Sequence, residues 1–548
     1  VTALAAAALA CTLAALVPAA LRWLRVAQRE HYLAGSVTRF ALRWWRSRPL
    51  NLCAALAGLA GAGASIAAPG TALVTAAVGA AAPLGLGVRG RTSKLAWTRR
   101  LRTLAAGTGV LVTAAVAIGA AAGGLGGATT AAAFSLAGLP LLVDAALGAL
   151  SPLEDRLAAR FVAEAGRRIA AVRPRVVAIT GSYGKTSTKG YVAHLLAGRY
   201  AVVASPRSFN NRAGLARTVN QHLVPGTDVL VAEMGTFGPG EIAELCSWLV
   251  PDVAVITAVG PVHLERFGSV DAILAAKSEI TERAEVCVLN VDDDRLLGLA
   301  DRLERQGKRV VRCSGQADGG SLGTLTADGA ATPAAGGWRE PDVRIVLREP
   351  ELILELRGRT AGSVVRPDGA PPVVAGNVAC AVGAAMAIGL ESEEVLRRLA
   401  DLPGAANRLA VERSASGAVV LDDTYNSNPA GGRVALEVLQ RSGSGRRVVV
   451  TPGMVELGRL QLQENETFGA VALGIADVLV VVGRTNRRAL LRGAGRSAAS
   501  RNGSAPSAGP AGTVICVERR EQAVEWVRRE LGPGDTVLYE NDLPDHYP

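Results

Sequence analysis

The chain has 548 residues, room for three or four domains, and 49% of them are hydrophobic although only 4% are aromatic. Seven scattered cysteines with no C-x-x-C spacing argue against a zinc site or a disulfide framework and fit a reducing compartment. A formal net charge of +11 often signals nucleic acid, but here the excess sits beside apolar segments, so a membrane is the expected partner and nucleic acid is not.

Five apolar stretches, near 1–21, 50–68, 71–88, 101–122 and 127–150, each approach the roughly 20 residues that cross a bilayer. A cleaved signal peptide would account only for the first. Arg22, Arg25, Arg29, Arg39, Arg43, Arg46 and Arg48 lie between the first and second, and Arg89, Arg91, Lys94, Arg99, Arg100 and Arg102 between the third and fourth. The connections near Pro69–Gly70 and Gly123–Gly127 carry no charge. The positive-inside rule then expects a transmembrane region over 1–150 with about five helices and the N-terminus outside. It leaves everything after about residue 151 in the cytoplasm. Trp23, Trp44 and Trp45, beside the arginines, read as interfacial anchors.

An arginine-bearing connector (151–174) leads into Val176-Val-Ala-Ile-Thr-Gly-Ser-Tyr-Gly-Lys-Thr-Ser-Thr188. A β-branched run entering a glycine-bracketed turn, followed by Lys-Thr where a helix can start, is the chemistry of a phosphate cradle. Backbone N–H groups from Gly181 to Lys185 can face oxygens, Lys185 adds a full charge, and Thr186 is placed to put its hydroxyl on Mg²⁺. The usual Walker spacing wants a glycine at Ile179, so the loop is a shortened Gly-x-x-Gly-Lys-Thr.

Strands are expected at 176–180, 201–204, 228–234, 252–259, 286–290 and 309–313, with helices between them, which implies a parallel sheet covered on both faces. Residues 314–366 read as a small antiparallel excursion with runs at 343–348 and 352–357, and 377–390 as a helix. From Leu409 a second alternating unit places strands at 418–421, 447–451, 478–482, 513–517 and 536–539. Its Ser/Gly/Ala/Arg tract at 492–512 reads as a flexible surface insertion. The expected class is α/β: N-terminal transmembrane helices, a P-loop central parallel-sheet domain (175–408) and a C-terminal Rossmann-like α/β domain (409–548).

Polar residues gather at the predicted strand ends: Glu233 in Val-Ala-Glu-Met-Gly, His263 in Gly-Pro-Val-His-Leu-Glu, and Asn290-Val-Asp-Asp-Asp294, with Lys277 on a helix. Singly, a capped loop histidine or a solvated lysine is the blander account. Together with the phosphate loop they fit a Mg²⁺–nucleotide site, for which Glu233 and Thr186 supply hard oxygens.

These stretches, with Phe209-Asn-Asn, Gly376-Asn-Val, Asn407-Arg408, Asp422-Asp-Thr-Tyr-Asn-Ser-Asn-Pro429 and Gly453-Met-Val-Glu-Leu-Gly458, run in an order that resembles the Mur ligase superfamily over about 175–490. The likeness is greatest to the branch that adds D-alanyl-D-alanine to UDP-N-acetylmuramoyl tripeptide. It implies an ATP- and Mg²⁺-dependent peptide ligase, which the apolar N-terminal region is expected to hold at the bacterial plasma membrane. It also implies that Gly181, Ser182, Tyr183, Gly184, Lys185, Thr186 and Ser187 cradle ATP, with Lys185 on the β- and γ-phosphates. Thr186 and Glu233 would ligate one Mg²⁺, and His263 a second with a carbamylated Lys277. Asn211 and Asn377 match nucleotide-side asparagines, Asp423 a ribose ligand, and Arg408 a γ-phosphate contact. Tyr425, Asn426 and Asn428 match the substrate-lining motif.

Three departures from the pattern stand out. The branch's N-terminal domain that grips the UDP-sugar is expected to be replaced by the membrane region, which makes a lipid-linked carboxylate a candidate beside a UDP-linked one. Thr451-Pro-Gly-Met stands where the family has Leu-Gly-Asp-Met. Tyr539-Glu-Asn-Asp stands where it has Lys-Gly-Ser, an acidic turn expected to suit an amine with extra positive charge. The competing expectations are a poly-γ-glutamate or folyl-polyglutamate type of ligase and a non-catalytic nucleotide-binding scaffold. A transporter ATPase is disfavoured, because no apolar run ending in Asp-Glu forms a Walker B.

Overall fold

The computed structural model describes residues 2–46, 48–87, 95–206, 209–316, 339–367, 369–404, 409–424, 427–502 and 512–542. The chain divides into two compact units, one reaching Ala159 and one spanning Arg160–Asp542.

The first unit is helical. Among the described residues, Thr2–Arg29 and Arg99–Ala137 are long and apolar enough to cross a membrane by length and composition. The stretches expected at 50–68 and 71–88 are shorter helices, Pro49–Ala64 and Ala72–Ala81, because Pro69-Gly70 and Pro83 interrupt the runs. Gly123 and Gly124 leave helical φ/ψ inside Arg99–Ala137, where an uncharged connection was expected. The chain breaks again at Gly138, and Leu139–Val172 runs well past the expected limit at 150. Trp23 and Trp44 are buried, not set out as anchors. Trp44 stacks on Phe40 with centroids 5.5 Å apart, and its Nε1 donates to Leu84 O at 3.2 Å. Arg22 is also buried: its guanidinium donates to Gly79 O at 2.9 Å and Ala82 O at 2.8 Å, capping the carbonyl end of Ala72–Ala81.

The second unit holds two sheets. The first contains β1 (Arg175–Thr180), β2 (Val202–Ala204), β3 (Val229–Glu233), β4 (Val253–Ile256), β5 (Val286–Asn290), β6 (Arg309–Ser314), β7 (Val343–Arg348), β8 (Glu351–Leu356) and β9 (Arg359–Val365). Their order is β2-β3-β1-β4-β5-β6-β7-β8-β9. Pairing is parallel from β2 to β7, and the β7–β8–β9 meander is antiparallel. The excursion read from the sequence therefore extends the main sheet. β1, β3 and β4 bury nearly every residue, as continuous apolar runs in a doubly covered parallel sheet must. The chain leaves β1 toward one edge and β4 toward the other, so the crevice at their carboxyl ends is a topological switch point.

The second sheet contains β10 (Ala410–Arg413), β11 (Val419–Asp423), β12 (Arg447–Thr451), β13 (Val478–Val482), β14 (Thr513–Val517) and β15 (Thr536–Glu540), in the order β10-β11-β15-β12-β13-β14. All its pairings are parallel except β10–β11. The first part of the tract expected to be flexible is helical, within Arg487–Asn502, because its Ala, Leu and Arg residues are good helix formers. The rest of the tract, 503–511, lies outside the described residues.

The turn after β12 is fastened by buried amides. Asn465 Oδ1 accepts from Met454 N at 2.8 Å, while its Nδ2 donates to Met454 O at 2.9 Å and Gln461 O at 2.8 Å. Asn486 Nδ2 donates to Pro452 O at 3.1 Å. Replacing Asn465 with alanine strands the buried Met454 N and removes one of the two donors to Met454 O, the other being Asn486 Nδ2 at 3.0 Å. Asn465→Ala is expected to lower the opening free energy of this half by about 2–4 kcal/mol, read by hydrogen exchange of β12 and β13. Unchanged protection there would show that the amide is dispensable.

Candidate active site

β1 ends at Thr180 and helix Lys185–Leu196 begins five residues later, with Gly184 making the turn at φ +77°. A Cβ at Gly184 would strike the Asn377 side-chain amide, so conformation and space both demand glycine. The loop is tied down on its far side: Ser182 N donates to Ala258 O at 2.7 Å and the Ser182 hydroxyl to Gly260 O at 3.1 Å. The Thr257 hydroxyl bonds the Tyr183 carbonyl. Among the described residues the Tyr183 hydroxyl, buried where a side chain on Gly260 would strike it, has no hydrogen-bond partner. Lys185 Nζ donates to Gly181 O at 2.6 Å, which keeps its charge at the loop.

Glu233 closes β3 in register with Ile179 of β1 and is buried. Thr186 Oγ1 donates to its two oxygens at 3.1 and 3.2 Å, and Lys189 Nζ pairs with Oε2 at 3.0 Å. Burial alone would raise this carboxyl. The charges of Lys189 and Lys185, with hydrogen bonds from Lys189 and Thr186, outweigh it and hold Glu233 below the usual carboxylate range. Lys189 was not singled out from the sequence, although its i+4 spacing from Lys185 puts both on one helix face.

These features fit a nucleotide phosphate chain with Mg²⁺. The glycine turn delivers the first N–H groups of helix Lys185–Leu196, a buried loop hydroxyl is unpartnered, and an ionised carboxylate sits beside a threonine hydroxyl. One carboxylate and one hydroxyl suit Mg²⁺, which keeps water and phosphate oxygens as its other ligands. Among the described residues no three His, Cys, Asp or Glu side chains gather to hold a metal by themselves.

His263 caps helix Leu264–Phe267 at φ +58°. Its Nδ1 pairs with the Glu456 carboxylate, and its ring meets Phe237 edge-on at 5.4 Å. Lys277 lies buried on helix Val270–Ser278. Burial first, then the charge of Lys185, pushes its amine well below the ordinary lysine value. A neutral amine is the form that reacts with an electrophile.

The remaining expected residues are more dispersed. Asn377 abuts Gly184. Asn211 caps helix Arg212–His222, accepting from Gly214 N at 3.0 Å, and neighbouring Asn210 O accepts from Gly235 N at 2.7 Å just beyond β3. Asn290 and Asp293 brace the site's loops, Asn290 Nδ2 donating to Thr257 O at 3.0 Å and Asp293 accepting from Val259 N at 3.1 Å. Ser187 follows Thr186 in the first helical turn. Asp423 ends β11 and accepts from Leu409 N at 3.2 Å. Asn428 is buried and caps helix Pro429–Arg441 through Gly431 N at 2.8 Å. Arg408, Tyr425 and Asn426 lie outside the described residues.

Glu540 corrects an expectation. It does not present an acidic turn, because its carboxyl is fully buried at the end of β15 beside Asp423 of β11. The Thr451 hydroxyl donates to it at 2.7 Å and the Ser427 hydroxyl bonds its other oxygen. Asp542, next but one, pairs with Arg520 at 2.7 Å. Burial, aided by Asp423, pushes Glu540 up to about 8 from an ordinary value of 4.5. Between those values the native state keeps a proton that the unfolded chain has released. The stability Glu540 contributes is therefore full below pH 4.5 and falls as pH rises toward 8. Glu540→Gln should flatten that dependence and stabilise the protein by roughly 1–3 kcal/mol at neutral pH. Equal pH profiles of the melting temperature for variant and parent would contradict it.

Known proteins share this arrangement. The Mur ligase middle domain matches residues 179–327 and the Mur ligase, glutamate ligase domain matches 407–539. The UDP-N-acetylmuramoyl-tripeptide–D-alanyl-D-alanine ligase of Mycobacterium leprae is 33% identical over 414 residues, covering 72% of this chain and 74% of that protein. The enzyme of that name from Bacillus subtilis is 28% identical over 335 residues, 60% of this chain and 65% of that protein. The fold is similar to that of MurF from Acinetobacter baumannii (TM-score 0.55, 23% identity, 70% of this chain and 77% of that one). It is equally similar to that of Thermotoga maritima MurF in complex with ADP (TM-score 0.55, 23% identity, 70% and 80%). With both family domains in order, and one residue in three identical to a member over most of both proteins, the chain belongs to the Mur ligase family of ATP-dependent, Mg²⁺-requiring ligases.

Proposed function

We propose that the chain is a membrane-anchored ligase of peptidoglycan precursor synthesis. It activates a muropeptide-like carboxylate with ATP and joins it to an amino acid or dipeptide such as D-alanyl-D-alanine. The observation that carries this reading is the ionised Glu233, buried against Thr186 and against Lys189, one helical turn beyond Lys185. The substrate class rests on the names of the relatives.

A substrate carboxylate oxygen attacks the γ-phosphorus and ADP leaves. The incoming amine then attacks the acyl carbon and phosphate departs through a tetrahedral intermediate. Thr186 and Glu233 would hold Mg²⁺, which would supply positive charge at the phosphate oxygens. Lys185 offsets charge developing on the transferred group from its place at the loop, as does Arg408 by resemblance. Asn377 borders the phosphate loop through Gly184 and is assigned to the nucleotide side, with Asn211 and Asp423. Tyr425, Asn426 and Asn428 are assigned to the substrate cleft. Lys277, kept neutral by burial, attacks CO₂ through its nitrogen; an N–C bond forms, one proton leaves, and a carbamate anion results. With His263, that anion is assigned to a second Mg²⁺.

Anchoring is supported by the two long apolar helices and by exposed Leu4, Val17, Leu56, Ile66, Val110 and Ile118 in the first unit. On this reading the ligase domains face the cytoplasm at the plasma membrane, where a carboxylate carried on a nucleotide or on a lipid is within reach.

The test is ADP release by the full chain in detergent, given D-alanyl-D-alanine with either a UDP-linked or a lipid-linked muropeptide. Release that needs both partners is expected, with at least a 100-fold loss in Lys185→Ala (about 2.7 kcal/mol). Turnover that ignores the carboxylate would overturn the reading. Lys277→Ala should be comparably impaired and partly restored by millimolar acetate or formate, which supply the missing carboxylate; no restoration would count against carbamylation.

A further inference from the structure

The family motif around Gly453–Gly458 brings a second carboxylate to the site's histidine, from a segment 193 residues away in sequence. The Glu456 side chain takes His263 Nδ1, and Leu264 N donates to Glu456 O at 3.1 Å. Both partners are non-glycine residues in the left-handed region, His263 at φ +58° and Glu456 at φ +64°. Each such conformation is costly for a residue with a Cβ and persists only where its surroundings dictate it. Glu456 is so dictated, because its turn is fixed by Asn465 and Asn486 on Met454 and Pro452. Gly458, at φ +54°, then brings the backbone against Leu264 and Glu265.

With the carboxylate on Nδ1, the imidazole carries its proton there and presents the Nε2 lone pair. We propose that Glu456 is a positioning residue that fixes the tautomer and ring orientation of His263, so that the histidine is ready for metal only when the second sheet's turn is docked on it. This rests on the reading of His263 as a metal ligand. It assigns Glu456 no contact with nucleotide or substrate.

The test uses Mn²⁺ as the probe, its binding to the full-length, ADP-loaded protein followed by electron paramagnetic resonance, with ADP affinity in chelator measured alongside. Glu456→Ala is expected to weaken one class of Mn²⁺ binding by 10–100-fold, as loss of a partner behind a ligating histidine does. Metal-free ADP affinity should stay within about twofold. His263→Ala should weaken the same class, and the double variant should match His263→Ala alone, because the carboxylate acts only through the ring. Glu456→Gln, which keeps an acceptor oxygen at the same reach, should recover part of the loss; Glu456→Asp, which keeps the charge but not the reach, should not. These two variants carry the comparison if the alanine variant does not fold. Weakened binding in His263→Ala but not in Glu456→Ala would overturn this inference and leave the metal reading standing. Unchanged binding in His263→Ala would overturn both.

Discussion

A carboxylate sunk among apolar strands is unstable unless cations reach it, and the first sheet is arranged around that requirement at Glu233. The strand that carries it is paired to β1 and buried throughout, so water offers little compensation. Relief comes from helix Lys185–Leu196, which the glycine turn after β1 directs so that Thr186 and Lys189 both meet the acid. That same turn is permitted only by the missing side chain at Gly184, where Asn377 closes in from helix Ala375–Ile388. One charge, one helix and one asparagine therefore constrain each other around the loop assigned to phosphate.

The turn after β12 carries the second sheet to His263 and Leu264. Asn465 and Asn486 hold the segment after β12 by its backbone, and the segment passes that order to Glu456 and His263. The family's usual aspartate in this turn is here Gly453. The amides show how the turn keeps its shape without that charge: Gly453, at φ +77°, leaves no space for a side chain between them.

Much of this was legible in advance because it is local. β-branched runs bounded by turns placed the strands that were expected, and polar residues at their ends marked the crevice. β9 and β10 escaped notice because both are polar-rich edge strands with little apolar alternation, β10 being also short. The tract after Arg492 misled by composition, since glycine and serine masked a run of helix formers. In the helical unit, length of apolar sequence overstated length of helix, because prolines and paired glycines divide it. Lys189 was within reach of a spacing argument, whereas Glu456 and Asn465 were not. Their importance lies in partners that only the folded chain brings near.

Glu540 has a consequence for traffic at the second sheet's rim. ATP is a polyanion, as is the muropeptide proposed as its partner, and each fixed negative charge where β11, β12 and β15 end repels both at long range. By retaining its proton, Glu540 offers oxygen atoms for structure while adding nothing to that repulsion. Asp423 keeps its charge beside it, so of the two paired strand-end acids only one carries a negative charge there.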